Sequence, residues 1–283
     1  MNQIPSFDYG GEGMPLHFLH ANGYPPACYK PLFELLKTQF HVFGMLLRPL
    51  WEGSKPEDLD DWNPLSEDLL QFLDSTPLPA GEPVIGVGHS VGGIVTLRAA
   101  LREPDKFRAL VLLDPVLFVP SVLTAWNFAR ALRLGNKFHP KIAGALRRRR
   151  TFENLDVAFD GYRSRDVFKY VSDENLRAYT AGVAKPKADA GFELAYSPEW
   201  EVRIYLTAMR DFDIWRELPK LKVPTLILRG AETDTFLKKA EDLVKEKNPG
   251  ILVRTLEKTT HLLPLECPEK IFNFMRAYLI DIR

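Results

Sequence analysis

Residues 84–93 read Val-Ile-Gly-Val-Gly-His-Ser-Val-Gly-Gly. The apolar run Val84 to Gly88 follows Pro83 and has strand length, as expected for a strand buried on both faces of a parallel sheet. A helical pattern begins at Val91 and runs to Arg102. Between them Gly88-His89-Ser90-Val91-Gly92 matches G-x-S-x-G. A serine on a sharp turn between strand and helix projects its hydroxyl out of the sheet, and only small flanking residues let the backbone pass so closely. The first amides of the helix point past that hydroxyl, so the Val91 N–H is a candidate donor to a developing oxyanion. The plainer alternative is a serine that merely caps the helix.

Working outward, apolar strand-length runs alternate with helical patterns, which argues for a parallel sheet with crossover helices. Strands are expected at Leu16 to His20, His41 to Leu47 and Ala109 to Leu113, with helices at Tyr29 to Thr38 and Ser66 to Asp74. After Asp114-Pro115 the periodicity turns helical through Trp200. Alternation resumes with a strand at Val223 to Leu228, a helix near Phe236 to Lys247, a strand at Ile251 to Thr255 and a closing helix from Pro268 to Ile280. The expected architecture is α/β, a mostly parallel central sheet with helices on both faces. Residues 1–115 and 201–283 form the core and residues 116–200 an inserted helical cap.

The 283 residues carry 37 Lys+Arg against 37 Asp+Glu, with 46% hydrophobic and 26% charged residues. That balance excludes a basic nucleic-acid arm, an acidic disordered tail and a fibrous chain. Cys28 and Cys267 stand far apart, so neither a disulfide framework nor a zinc site is expected, and a reducing cytoplasmic setting fits. The first residues lack the pattern of a signal peptide, and no window is long enough to span a bilayer. One charge run, Arg147 to Arg150 with Arg163 and Arg165 beyond it, reads as a solvated helix face or as a docking patch for a phosphate or carboxylate, as on an acyl-CoA.

A serine hydroxyl attacks only if a base takes its proton and a third group orients that base. Of six histidines, His261 lies after the last expected strand, at the carboxyl edge of the sheet where the Ser90 turn also lies. Three carboxylates compete for the third place. Asp234 is preferred: it follows the Val223 to Leu228 strand and precedes a helix, a carboxyl-edge loop position consistent with the order serine, acid, histidine. Glu232 shares its loop, and Asp114 ends the strand after the Ser90 helix. Asp234 reads equally as a helix cap. The turn His20-Ala21-Asn22-Gly23 supplies a second oxyanion donor, the Asn22 amide, or else is simply a turn.

Taken in order, the His-Ala-Asn-Gly turn, the Gly-His-Ser-Val-Gly elbow, the Gly-Ala-Glu-Thr-Asp loop and the Thr-Thr-His loop make the chain resemble the α/β-hydrolase superfamily over almost its full length. The resemblance implies Ser90 as nucleophile, His261 as general base and acid, Asp234 as its orienting carboxylate and the amides of Asn22 and Val91 as the oxyanion hole. His89 and Leu262 are expected to touch substrate. Relatives that dehalogenate or open epoxides place Asp at the elbow, so Ser90 argues against both. The expected activity is hydrolysis of an ester or thioester of a small, largely apolar acyl group, with no cofactor and no metal. The cap is rich in aromatics, among them Trp126, Phe128, Phe138, Phe152, Tyr162 and Tyr179. Two other expectations share the fold: C–C bond hydrolysis or perhydrolysis with the same residues, and a slow or non-catalytic ligand receptor.

Overall fold

The computed structural model describes residues 4–76, 82–132 and 141–280; Phe138 and His139 fall outside them. Among the described residues, seven strands form one sheet in the order β1-β3-β2-β4-β5-β9-β10. They are β1 (Ser6–Gly10), β2 (Met14–Leu19), β3 (Phe40–Met45), β4 (Val84–His89), β5 (Phe107–Leu113), β9 (Thr225–Gly230) and β10 (Leu252–Leu256). All neighbouring pairs are parallel except β1 with β3. This edge strand escapes the sequence pattern because Ser-Phe-Asp-Tyr-Gly is short and buries little, and its register shifts between Asp8 and Gly10.

Alternate residues of the central strands feed two cores. Ala109, Val111 and Leu113 join the core that holds α1 (Lys30–Leu36), whereas Leu110 and Leu112 join the core that holds α2 (Asn63–Ser75) and α3 (Val91–Arg102). Period-2 alternation with both faces apolar is what a sheet covered on both sides requires. At about 25 cal/mol per Å² of buried apolar surface, these two layers supply the main drive for folding.

The chain between β5 and β9 leaves the sheet for about a hundred residues. It contains α4 (Pro120–Ala131), α5 (Ile142–Leu146), α6 (Leu155–Arg163), α7 (Asp173–Val183), α8 (Pro198–Thr207) and α9 (Phe212–Glu217). It also contains three short strands, β6 (Thr151–Phe152), β7 (Ala184–Pro186) and β8 (Phe192–Leu194), in an antiparallel sheet ordered β6-β8-β7. Strands of two or three residues leave no periodicity to detect, so the helical expectation missed them. Residues of the excursion join the two cores of the sheet. Tyr196, Trp200 and Ile204 pack with the α2 and α3 side, and Phe152, Tyr162, Phe168 and Tyr179 with the α1 side.

After β9 come α10 (Lys238–Lys247), then β10, α11 (Leu263–Glu266) and α12 (Pro268–Ile280). Among the described residues no helix is long and apolar enough to cross a membrane.

Candidate active site

Ser90 sits between β4 and α3 with φ 59° and ψ −120°, a conformation that L residues rarely adopt. Packing holds it there. A Cβ on Gly88 would lie 2.4 Å from the Gly92 carbonyl oxygen, and one on Gly92 would lie 2.2 Å from that of Leu19. The same contact presses the start of α3 against the end of β2, so the His20-Ala21-Asn22-Gly23 turn lies beside Val91. The Ser90 amide donates to the Leu113 carbonyl at 3.0 Å, tying the turn to β5.

His261 follows β10 and meets Ser90: Nε2 is 2.9 Å from Oγ. Its other ring nitrogen, Nδ1, is 2.7 Å from Oδ2 of Asp114. Asp114 is fully buried and left-handed, with φ 43°. Its Oδ1 accepts the Gly230 N–H at 3.0 Å, and its Oδ2 also accepts the Thr233 hydroxyl at 2.5 Å. A carboxylate can only accept, so Nδ1 carries the proton and Nε2 is left as the acceptor facing the Ser90 hydroxyl.

The carboxylate on His261 is therefore Asp114, a correction to the preference for Asp234. The loop after β9 turns at Thr233, whose hydroxyl donates to Asp114 while accepting the Thr235 N–H at 3.0 Å. This turns Asp234 outward, where it accepts from Lys141 at 3.0 Å with its side chain 65% exposed. Glu232 points away too, accepting from Lys169 at 2.8 Å and from the Tyr170 hydroxyl at 2.6 Å.

The histidine loop is clamped from behind. Glu266 accepts the Thr260 N–H at 2.7 Å and the Thr260 hydroxyl at 2.6 Å. Burial raises the Glu266 carboxyl above its ordinary value, and the two Thr260 bonds oppose that.

His89 and Leu262, the two residues expected to touch substrate, are both buried in the fold. His89 is fully buried, its Nδ1 2.8 Å from the Tyr29 hydroxyl and its Nε2 2.9 Å from the His261 carbonyl. Burial holds it neutral, well below its ordinary pKa, with the neighbouring His261 adding to the effect. The His261 carbonyl only accepts, so His89 donates from Nε2 and accepts the Tyr29 O–H at Nδ1. Tyr29 in turn accepts the Ala21 N–H at 3.1 Å. A single chain of hydrogen bonds thus joins the Asn22 turn to the backbone of His261. Leu262, 2% exposed, belongs to the α1-side core.

With the Ala21 amide taken by Tyr29, the next one, that of Asn22, has no acceptor among the described residues. Val91 opens α3, where an N–H has no intrahelical partner. The Asn22 side chain reaches away, donating to the Glu201 carbonyl at 3.0 Å. Arg148, which the sequence does not single out from its run, is nearly buried against this turn. It donates to Glu201 Oε2 at 2.6 Å, and a Cβ on Gly23 would lie 3.2 Å from its Nη1. The sequence showed the arginine run, but nothing in it marks which of four arginines turns inward.

The family model described as "Alpha/beta hydrolase family" matches residues 18–274. The chain belongs to the alpha/beta hydrolase family. It is 21% identical over 285 residues to the (E)-2-((N-methylformamido)methylene)succinate hydrolase of Acinetobacter baylyi, covering 98% of this chain and 95% of that one. Among solved structures, E-2-(acetamidomethylene)succinate hydrolase superimposes with a TM-score of 0.75 at 20% identity, covering 97% of this chain and 94% of the other. The thioesterase domain from the curacin biosynthetic pathway gives 0.73 at 14%, with 96% and 94% covered. At these identities the structural likeness speaks for the fold.

Proposed function

We propose that this chain is a serine hydrolase that cleaves a carboxylic ester or thioester of a small, largely apolar acyl group through an acyl-enzyme. The observation that carries the reading is the hydrogen-bonded row Ser90–His261–Asp114. As His261 Nε2 accepts the proton, Ser90 Oγ bonds to the substrate carbonyl carbon, and the carbonyl electrons move to oxygen. The amides of Asn22 and Val91 receive that oxyanion. When the tetrahedral adduct collapses, the bond to the alcohol or thiol breaks and His261 returns the proton to the departing atom. Water repeats the sequence, His261 taking its proton, and the acid and free Ser90 are released. Asp114 holds the imidazole in its Nδ1–H form and stabilises the imidazolium, so Asp234 has no part in the chemistry.

Residues 116–200 act as a cap over the carboxyl edge of the sheet. In support, Lys141 holds Asp234, and Lys169 with Tyr170 holds Glu232. Asn175 donates to the Leu265 carbonyl at 2.9 Å in α11, which follows His261. Several cap rings pack on one another: Phe152, Tyr162, Phe168 and Tyr179 form one contacting cluster.

The test is intact-mass and peptide mapping after incubation with a fluorophosphonate, beside hydrolysis of p-nitrophenyl esters of rising acyl length. A single adduct on Ser90, absent in Ser90→Ala, with ester turnover lost in the same variant, is the expected result. Turnover retained by Ser90→Ala would overturn the proposal.

A further inference from the structure

The four arginines of the run 147–150 go separate ways. Arg150 pairs with Glu199, and Arg148 turns inward to Glu201. Arg149 stays outside, its guanidinium 5.6 Å above the Phe152 ring and its Nε donating to the Thr151 carbonyl at 2.9 Å. Arg165 arrives from beyond α6 and lies 5.3 Å over the Tyr162 ring. The two rings are themselves 6.2 Å apart, so stacking brings Arg149 and Arg165 to the same place. These two and Arg148 line a cavity of about 40 Å³ whose lining contains no carboxylate. A wider depression of about 240 Å³ adjoins it, sharing Arg149 and Phe152 and lined also by Lys187 and Glu153.

Glu201 compensates the charge of Arg148, which leaves the Arg149 and Arg165 guanidiniums beside one small space, repelling one another unless an anion sits between them. Among the described residues neither Arg149 nor Arg165 has a carboxylate partner, unlike Arg150, Arg163 and Arg177. Stacking on a ring fixes a guanidinium's plane while leaving its N–H edge available for the fork-shaped donation that carboxylates and phosphates accept. The cavity has room for about three water-sized groups, the size of a small oxyanion.

We propose that Arg149 and Arg165, with Arg148 in the cavity wall, form a binding site for an oxyanion, the carboxylate or phosphate group of a small organic molecule whose body lies in the adjoining depression. The site is separate from Ser90 yet shares Arg148 with it. Arg148 lines the cavity wall, with its Nη1 donating to Glu201 beside Gly23 of the oxyanion turn and its Nη2 donating to the Tyr162 and Tyr179 hydroxyls at 3.3 and 3.4 Å. Binding here does not depend on the hydrolase reading.

Inorganic phosphate and acetate serve as probes, titrated calorimetrically into the full chain at constant ionic strength set with chloride. Saturable binding of one or both is expected, the tighter probe telling phosphate from carboxylate. Arg149→Gln/Arg165→Gln, both on the surface, weakens it by about a hundredfold, each lost charge-assisted contact being worth roughly a decade. Arg276→Gln, which stacks on Phe272 elsewhere, leaves it unchanged. Neither probe binding better than chloride would overturn the site, as would equal binding by the double variant. Because the readout is binding, an inactive protein that still takes the anion would sink the hydrolase proposal and leave this one standing.

Discussion

Asp114→Asn tests the reading of the site most sharply, because the outcome depends on which way the new amide faces. Asp114 Oδ1 accepts the Gly230 N–H at 3.0 Å. An asparagine must keep its oxygen there, which places its NH₂ against His261 Nδ1, now 2.7 Å from Oδ2. Nδ1 then has to accept, the proton moves to Nε2, and the nitrogen facing Ser90 can no longer take a proton. The imidazolium also loses its counter-charge, about 4 kcal/mol for charges about 4 Å apart at an effective dielectric constant near 20. That alone is about three decades in rate. Tautomer reversal of this kind costs a serine protease about 10⁴ in kcat, so the expected fall in kcat lies at about 10³ to 10⁴. Asp234→Asn removes an exposed pair with Lys141, worth about 0–1 kcal/mol, and changes kcat by less than about fivefold. The assay is kcat and KM on a p-nitrophenyl ester for both variants, with circular dichroism to confirm the fold. Asp114→Asn within tenfold of wild type, or Asp234→Asn falling as far, would refute the reasoning.

Three further outcomes are expected. Gly92→Ala, whose Cβ would lie 2.2 Å from the Leu19 carbonyl oxygen, forces α3 away from β2; it destabilises the protein by about 1–3 kcal/mol in urea unfolding and abolishes fluorophosphonate labelling even where the chain folds. Arg148→Met strands Glu201, whose side chain is 11% exposed, and costs about 3–5 kcal/mol, part of which Glu201→Gln restores in the double variant; a loss no greater than that of an exposed pair would count against the buried ion pair. Burial holds His17 down to about 3 and His20 to about 4, so both stay neutral in the fold while the unfolded chain takes up protons below about pH 6.5. Stability therefore falls as pH drops from about 6.5 toward 4, by up to about 1.4 kcal/mol per pH unit for each histidine, and His17→Gln flattens the decline seen in melting temperature; an unchanged slope would show that His17 does not stay neutral.

The core elements were legible because their chemistry is local. Val91 to Arg102 and Pro268 to Ile280 are helices with the bounds that periodicity marked, and the β4 run lies where its apolar length put it. Ser90 and His261 were found for the same reason, since a strand-to-helix turn with flanking glycines and a loop after the last strand are visible in the chain itself. The small sheet β6-β8-β7 was not, its strands being too short for any period to repeat, nor was the edge strand β1, which buries too little to show an apolar run.

The choice among Asp114, Glu232 and Asp234 could not be made locally. All three end or follow a strand at the same edge of the sheet, and their order along the chain does not say which carboxylate is nearest to His261. Tertiary packing decides it: β5 lies between β4 and β9, so Asp114 emerges between the Ser90 turn and Gly230, and the Thr233 hydroxyl closes on it and turns Asp234 out to Lys141. His89 and Arg148 follow the same rule. Sequence alone determined that a serine, a histidine and several carboxylates stand at one edge of a parallel sheet. Which of them touch was decided by strand order and by hydrogen bonds between residues more than a hundred positions apart, contacts that no local pattern encodes.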